Sequence, residues 1–259
     1  MTKPVVLITG ASTGIGATYA DRFARRGHDL VLVARDRARL DALAAKLVAA
    51  TGVAVDVLPA DLTRGDEVAV VETRLRDDDR IGILVNNAGA GLGGQFVDQS
   101  AEVIERLIAL NLTSLVRLSH AVAPRLAARG EGAIVNIGSV VGFAPEFGST
   151  VYGATKAFVQ FLSQGLALEL GPKGVYVQAV VPAGTRTELW DRAGIDAAAL
   201  PPLMDVNVLV DAALVGFDRR EGVTIPPLHD EALWTAFDGA RLALLGGTSD
   251  PTAAPRYAG

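Results

Sequence analysis

Short apolar runs of strand length alternate along this chain with amphipathic stretches of helical length, and that alternation leaves few folds open. The runs are VVLI at Val5, DLVLVA at Asp29, VAVDVLP at Val53, IGILVNN at Ile81, GAIVNIG at Gly132 and VYVQAVVP at Val175. Between them, helical patterning covers residues near 14–26, 36–50, 64–78, 101–128 and 152–170. Strands alternating with helices predict parallel βαβ units, stacked into a doubly wound α/β sheet. A seventh strand, VTIPP at Val223, follows a helix near 207–218, and a last helix near 230–245 leads into a tail expected to be loosely held over about 247–259. No Pro/Gly/Ser linker breaks the alternation, so one domain is expected over residues 1–259. The exception is an irregular insertion over about 183–205, and long loops in compact folds are commonly lids or binding loops.

Composition narrows the function classes. The chain is 50% hydrophobic and 20% charged, with a net charge of −5 and 24 Lys and Arg residues dispersed without a basic block. Neither a nucleic-acid stripe nor a patch for anionic membrane is suggested, which leaves small molecules as the expected partners. Absence of cysteine removes disulfides, thiol catalysis and thiolate metal sites. His28, His120 and His229 lack metal-ligand spacing, so no metal is expected. Lys3 to Ile8 is too short for a signal core and no apolar run approaches membrane-spanning length, so a cytoplasmic location is expected.

Two local patterns carry chemistry. In TGASTGIG, Gly10, Gly14 and Gly16 fall where the first strand turns into a helix. Glycines there permit a tight turn and close approach of backbone to phosphate, and a helix N-terminus offers free N–H groups and partial positive charge. Ser12 and Thr13 add hydroxyl donors, with Ile15 in the same turn. In the second pattern, Ser139 ends the fifth strand and Tyr152 and Lys156 lie four residues apart in YGATK, hence on one helical face. A tyrosine that carries a proton to or from a carbonyl oxygen needs its pKa brought from near 10 toward about 7, roughly 4 kcal/mol of phenolate stabilisation, part of which an adjacent ammonium can supply. Ser139 is placed to donate a hydrogen bond to the same oxygen.

At the end of the second strand Ala34 stands where an acidic residue would accept a ribose 2′-hydroxyl. Arg35 follows, with Arg37 and Arg39 close by, and guanidinium suits a phosphate dianion, so NADP(H) is favoured over NAD(H). Two other readings stay open: the arginines as a solvated helix start, and Asp36 turned inward toward an NAD ribose.

Together TGASTGIG, NNAG at Asn86 to Gly89 and YGATK resemble the short-chain dehydrogenase/reductase family, in consistent order over roughly residues 5–190. The resemblance implies a single-domain Rossmann fold with seven parallel strands in the order 3-2-1-4-5-6-7 and helices on both faces. It further implies a nicotinamide-dependent oxidoreductase with Ser139, Tyr152, Lys156 and Asn111 as the catalytic set, Lys156 also holding the nicotinamide ribose. Asn111 is the position that holds a relay water, although a buried asparagine at a helix distortion fits the residues equally. Asp61, with Leu62 beside it, matches the adenine-binding position, although a helix cap also suits it. Asn87, Ala88 and Gly89 back the cofactor, and Pro182, Thr185 and Thr187 resemble the segment that clasps the carboxamide. Ala183 departs from the pattern where glycine is usual, with Gly184 one place later.

The resemblance also implies a homodimer or homotetramer through the helices near 101–128 and 152–170. Leu189, Trp190, Ile195, Leu200, Leu203 and Met204, with Phe143 and Phe147, suggest a hydrophobic carbonyl or alcohol substrate. A catalytically silent dinucleotide-binding regulator, or another enzyme on the same fold, are the rival readings. Intact Ser139, Tyr152 and Lys156 argue against the first, and the absence of an extended C-terminal substrate domain against the second.

Overall fold

A computed structural model describes residues 3–193, 196 and 200–257, without the side chains of Asp191 and Arg192. The chain divides into two compact units, Met1–Pro227 and Leu228–Gly259. The first holds one sheet of seven parallel strands: β1 (Val5–Thr9), β2 (Leu30–Ala34), β3 (Val55–Pro59), β4 (Ile81–Asn86), β5 (Ala133–Ile137), β6 (Tyr176–Val180) and β7 (Val223–Thr224). Their order is β3-β2-β1-β4-β5-β6-β7, the expected one. The seventh strand is shorter than VTIPP suggested, because Pro226 and Pro227 have no N–H to donate to a ladder.

Every residue of β1, β2, β4 and β5 is buried, and successive side chains along each strand go to opposite faces of the sheet. On one face Val6, Ile8, Leu30 and Leu32 join Tyr19 and Phe23 of α1 (Gly14–Arg25), Leu40 of α2 (Arg37–Thr51) and Leu209 of α8 (Val206–Asp218). On the other, Leu7, Val31, Val33 and Leu84 join Val71 of α3 (Gly65–Asp77) and Leu118 and Val122 of α5 (Ser114–Arg129). Each such Leu or Ile contributes about 1.5–3 kcal/mol of transfer free energy on burial, which is why an apolar run here cannot be left half-exposed.

The helical stretch near 101–128 is not one α-helix. α4 (Ala101–Ile108) passes through a π turn, Ala109–Thr113, before α5 begins. The residue added by the wider turn is accommodated around Asn111, whose buried side chain reaches sideways to another loop. By length and composition alone the run Ala101–Arg129 would pass as a membrane span, contrary to the expectation that no segment would. In the fold its Leu115, Leu118, Val122 and Leu126 are buried, Leu118, Val122 and Leu126 within the second core. The second unit carries α9 (Glu231–Gly247), none of whose residues is buried.

The strand order reverses between β1 and β4, and their carboxyl ends are tied there by one hydroxyl. Thr9 Oγ1 donates to the Val85 carbonyl at 3.3 Å and accepts from the amides of Asn87 and Ala88, both at 3.0 Å. Asn87 Nδ2 returns the link by donating to the carbonyls of Thr9 and Gly10 at 2.9 and 3.2 Å. Thr9 is 1% exposed, so a methyl in place of its hydroxyl strips two part-buried amides of their acceptor. Thr9→Val should therefore destabilise the fold by about 2–4 kcal/mol, measured by urea unfolding, where an ordinary isosteric exchange would cost under about 1.5 kcal/mol.

Candidate functional site

Along the carboxyl ends of β1, β4, β5 and β6 runs one continuous cavity of about 620 Å³. The glycine turn forms its floor. Gly10 and Gly14 adopt left-handed φ of +65° and +56°, and a Cβ on Gly16 would lie 2.5 Å from Asn87 Nδ2. Gly16 is thus buried beneath the turn and does not line the cavity, whereas Gly10, Ser12, Thr13, Gly14 and Ile15 do. Thr13 makes no side-chain cap to α1, unlike Asp36, Ser100, Asp205 and Asp230 on their helices. The first-turn N–H groups of α1 therefore lack an internal acceptor, the arrangement that a pyrophosphate satisfies.

At one end the cavity is charged. Arg35, Asp36, Arg39 and Asp61 line it, with Leu62 beside them. Arg37 does not, and pairs with Asp41 at 3.4 Å along α2. Asp36 is not free to turn inward, since it caps α2 by accepting from the Arg39 amide at 3.0 Å. Asp61 accepts from the Thr63 amide and hydroxyl at 3.0 and 2.8 Å, closing a turn before α3 rather than capping the helix, whose N-cap is Arg64. Burial works to raise its pKa, yet the two Thr63 bonds with Arg35 and Arg64 hold it below the usual carboxylate range.

At the other end Ser139, Tyr152 and Lys156 meet. Ser139 follows β5, with its backbone pinned by Gly138 N–H to the Val180 carbonyl at 2.7 Å and Val140 N–H to the Pro182 carbonyl at 3.0 Å. The turn it opens lies directly on α6 (Thr150–Leu170), because Gly142 has no side chain: a Cβ there would sit 2.7 Å from the Lys156 carbonyl carbon. Sequence reading missed Gly142, as only the packing of the turn on α6 reveals it. Burial raises the Tyr152 pKa and outweighs the Ser139 hydroxyl beside it, which works to lower it.

Lys156 is the larger surprise. Its ammonium lies 5.7 Å from the centre of the Tyr152 ring and donates to the Ile137 carbonyl at 2.9 Å. Burial lowers its pKa from 10.5 to about 8. The depression of Tyr152 expected from its neighbour is thus absent here, because the same burial that brings the pair together disfavours both charges.

Asn111 does not line the cavity. Its Nδ2 donates to the Ala90 carbonyl and the Thr155 hydroxyl at 3.0 and 3.1 Å, while its Oδ1 accepts from the Ala90 amide at 2.9 Å. It staples the segment after NNAG to the π turn, and only Gly89 separates it from Lys156: a Cβ there would lie 3.3 Å from Asn111 Oδ1 and 3.7 Å from Lys156 Nζ. Behind this layer runs a buried polar ladder that alternation of residue types did not reveal, Ser119–Asn86–Asn136–Ser163, with links of 2.9, 2.9 and 3.0 Å.

Asn87, Ala88, Gly89, Pro182, Thr185 and Thr187 all line the cavity. Ala183 is not among the residues with positive φ, so the break in the glycine pattern carries no strain. At Gly184 a Cβ would lie 2.8 Å from Leu203 Cδ2, so a side chain there would displace the end of Leu203. Trp190, held by its indole N–H to the Thr185 carbonyl at 2.7 Å, lines the cavity with Leu189, Val141 and Leu92. Leu200, Leu203, Met204, Phe143 and Phe147 do not: Met204 bridges back to Gly184 and Arg186 by backbone bonds, and Phe147 is 59% exposed. Ile195 lies outside the described residues. Among the described residues no group of three or more His, Asp or Glu side chains could hold a metal.

Fold, glycine cradle and polar end define a dinucleotide-binding protein of the Rossmann class. The chain belongs to the short-chain dehydrogenase family, whose model, described as short chain dehydrogenase, matches residues 4–197. It is 69% identical to a short-chain dehydrogenase from Sphingobium yanoikuyae solved in complex with NADPH, covering 98% of this chain and 99% of that one, with a TM-score of 0.97. A bulky-bulky ketone specific alcohol dehydrogenase from Comamonas testosteroni is 60% identical over the whole of both chains, with a TM-score of 0.94. Very-long-chain 3-oxoacyl-CoA reductase-A of Danio rerio is 36% identical over 71% of this chain, which spans only 58% of that protein's length.

The buried ammonium has a measurable signature. Between about pH 8 and 10.5 the unfolded lysine keeps its proton while the folded one has lost it, so stability rises with pH through this window. Relative to a Lys156→Met variant, the wild type should gain about 3 kcal/mol of unfolding free energy between pH 7 and pH 11 in urea titrations.

Proposed function

We propose that this chain is an NADP(H)-dependent oxidoreductase that interconverts a carbonyl and a secondary alcohol, with Tyr152 as general acid/base. The observation that carries the reading is that Ser139, Tyr152 and Lys156 together line the polar end of a cavity whose other end is a glycine cradle with uncapped helix N–H groups. Gly10, Ser12, Thr13, Gly14 and Ile15 would hold the pyrophosphate. Asp61 and Leu62 would hold the adenine, Arg35 and Arg39 the 2′-phosphate, and Pro182, Thr185 and Thr187 the carboxamide. When bound, the nicotinamide supplies or accepts the hydride.

The protein's own work is on the proton. Burial keeps Tyr152 protonated at neutral pH, so it can deliver its proton to a carbonyl oxygen as negative charge develops there. Ser139 donates to the same oxygen and is held in place by its turn on α6. Lys156, with a pKa near 8, exchanges its proton readily and stands on the same helical face to reprotonate Tyr152. Asn111 positions Gly89 and the neighbouring loop rather than touching substrate. In the oxidation direction each transfer reverses.

Leu92, Val141, Leu189 and Trp190 give the reacting end apolar walls, which supports a hydrophobic ketone or alcohol with substituents on both sides of the carbonyl, as the bulky-bulky ketone specificity of the Comamonas testosteroni relative also suggests. One dinucleotide-binding and catalytic domain would carry the whole site, since every residue of it lies within 1–227. Phe158, Phe161 and Leu168 expose one apolar face of α6, supporting a homodimer or homotetramer.

In a screen of bulky aryl ketones that follows NADPH absorbance, kcat/KM with NADPH should exceed that with NADH. Tyr152→Phe should lower kcat by about 10²- to 10⁴-fold while NADPH affinity, measured by titration calorimetry, stays within about threefold. Unchanged turnover in that variant would remove the mechanism.

A further inference from the structure

One charged pair joins the two ends of the cavity from opposite sides. Arg39, on the first turn of α2, directs Nη1 at Glu188, 2.8 Å from one carboxylate oxygen and 3.1 Å from the other. Glu188 belongs to the segment after β6, between Thr187 and the cavity-lining Leu189 and Trp190, 149 positions further along the chain. Arg39 Nε also lies 3.4 Å from Asp36 Oδ2. The guanidinium that a 2′-phosphate needs is therefore already flanked by two carboxylates. Arg35 is in turn close enough to Asp61 to help hold that carboxyl ionised. Arg35, Arg39 and Arg64 share this end with Asp36, Asp61 and Glu188, so a phosphate dianion reaches Arg39 in competition with the carboxylates already beside it. Of these carboxylates Glu188 lies nearer to the Arg39 guanidinium than Asp36 does, and it alone comes from the segment that carries Leu189 and Trp190.

We propose that Glu188 is a specificity-determining residue that competes with the cofactor's 2′-phosphate for Arg39, moderating the preference for NADP(H) over NAD(H) from the substrate-binding segment. The inference rests on the NADP(H) reading given above. Occupation of Arg39 by the 2′-phosphate releases the tether between α2 and the segment bearing Leu189 and Trp190, whereas NAD(H), lacking that phosphate, leaves the tether made. Glu188 thus restrains the substrate wall when the adenosine end holds no phosphate.

The test is calorimetric titration of the intact protein with 2′,5′-ADP and with 5′-AMP, ligands that differ at the adenosine phosphate and require no turnover. Glu188→Gln keeps the shape and removes the charge. For this half-exposed pair it should tighten 2′,5′-ADP about 2- to 5-fold, more at low ionic strength, and leave 5′-AMP unchanged. In an Arg39→Ala background the same substitution should produce no gain. NADPH and NADH titrations should repeat the pattern, and Glu188→Ala, with no amide to re-pair Arg39, should match or exceed Glu188→Gln. Equal tightening of both ligands, weaker 2′,5′-ADP binding, no change, or a gain that survives Arg39→Ala would overturn the assignment. The wild-type ratio of NADPH to NADH affinity tests the cofactor reading by itself, and its shift on substitution tests Glu188.

Discussion

Where the strand order reverses, β1 and β4 are paired but the chain leaves them toward opposite faces of the sheet, opening a crevice at their carboxyl ends, and everything in the cavity depends on how that crevice is closed. Thr9 closes it with one hydroxyl that serves two amides of the NNAG segment and one carbonyl of β4. Asn87 then reaches back to the glycine turn, and its amide fills the space that a side chain on Gly10 or Gly16 would need. The glycines are thus required for two reasons. They let a phosphate approach from outside, and they let Asn87 lock the turn from inside.

The catalytic end is built on the same logic of close backbone approach. Ser139 reaches Tyr152 because Gly142 lets its turn rest on the α6 backbone, and α6 in turn brings Lys156 under the Ile137 carbonyl at the end of β5. Burial is the cost of this proximity: it raises Tyr152 and lowers Lys156, so the pair sits nearer to neutral phenol and neutral amine than either would in water. A proton carrier held in that state is suited to giving up its proton only when charge appears on the substrate oxygen.

What the sequence made legible follows the physics that short segments can encode. Predominantly apolar runs marked β1 to β6 because parallel strands are covered by helices on both faces, and glycine spacing marked the turn because positive φ favours glycine. Ser139, Tyr152 and Lys156 were legible because strand end and helical periodicity supply their geometry. The π turn at Ala109–Thr113 was hidden, since a single extra residue in a helix leaves the apolar pattern almost intact. Gly142, the Asn86–Asn136 ladder and the Arg39–Glu188 pair were hidden for another reason: each depends on a partner far along the chain. The apolar loop residues were over-assigned to the cavity because hydrophobicity does not say which way a residue packs; Leu203 and Met204 brace Gly184, while Leu189 and Trp190 face the site.

The segment from Thr185 to Trp190 draws these strands together. Thr187 stands against Gly14, 3.2 Å from where its Cβ would be, Glu188 holds Arg39, and Trp190 leans on the Thr185 carbonyl to form a substrate wall. Within six residues the segment therefore touches the glycine turn, the charged end and the polar end of the cavity. A change that reshapes the substrate wall shifts Glu188 by way of the same backbone, and a change of cofactor reaches Trp190 by way of Arg39. On the proposal that Glu188 competes with a 2′-phosphate for Arg39, substrate and cofactor specificity are coupled variables: altering Trp190 or Leu189 for a new ketone also alters the surroundings of Arg39, and the two affinities have to be measured together.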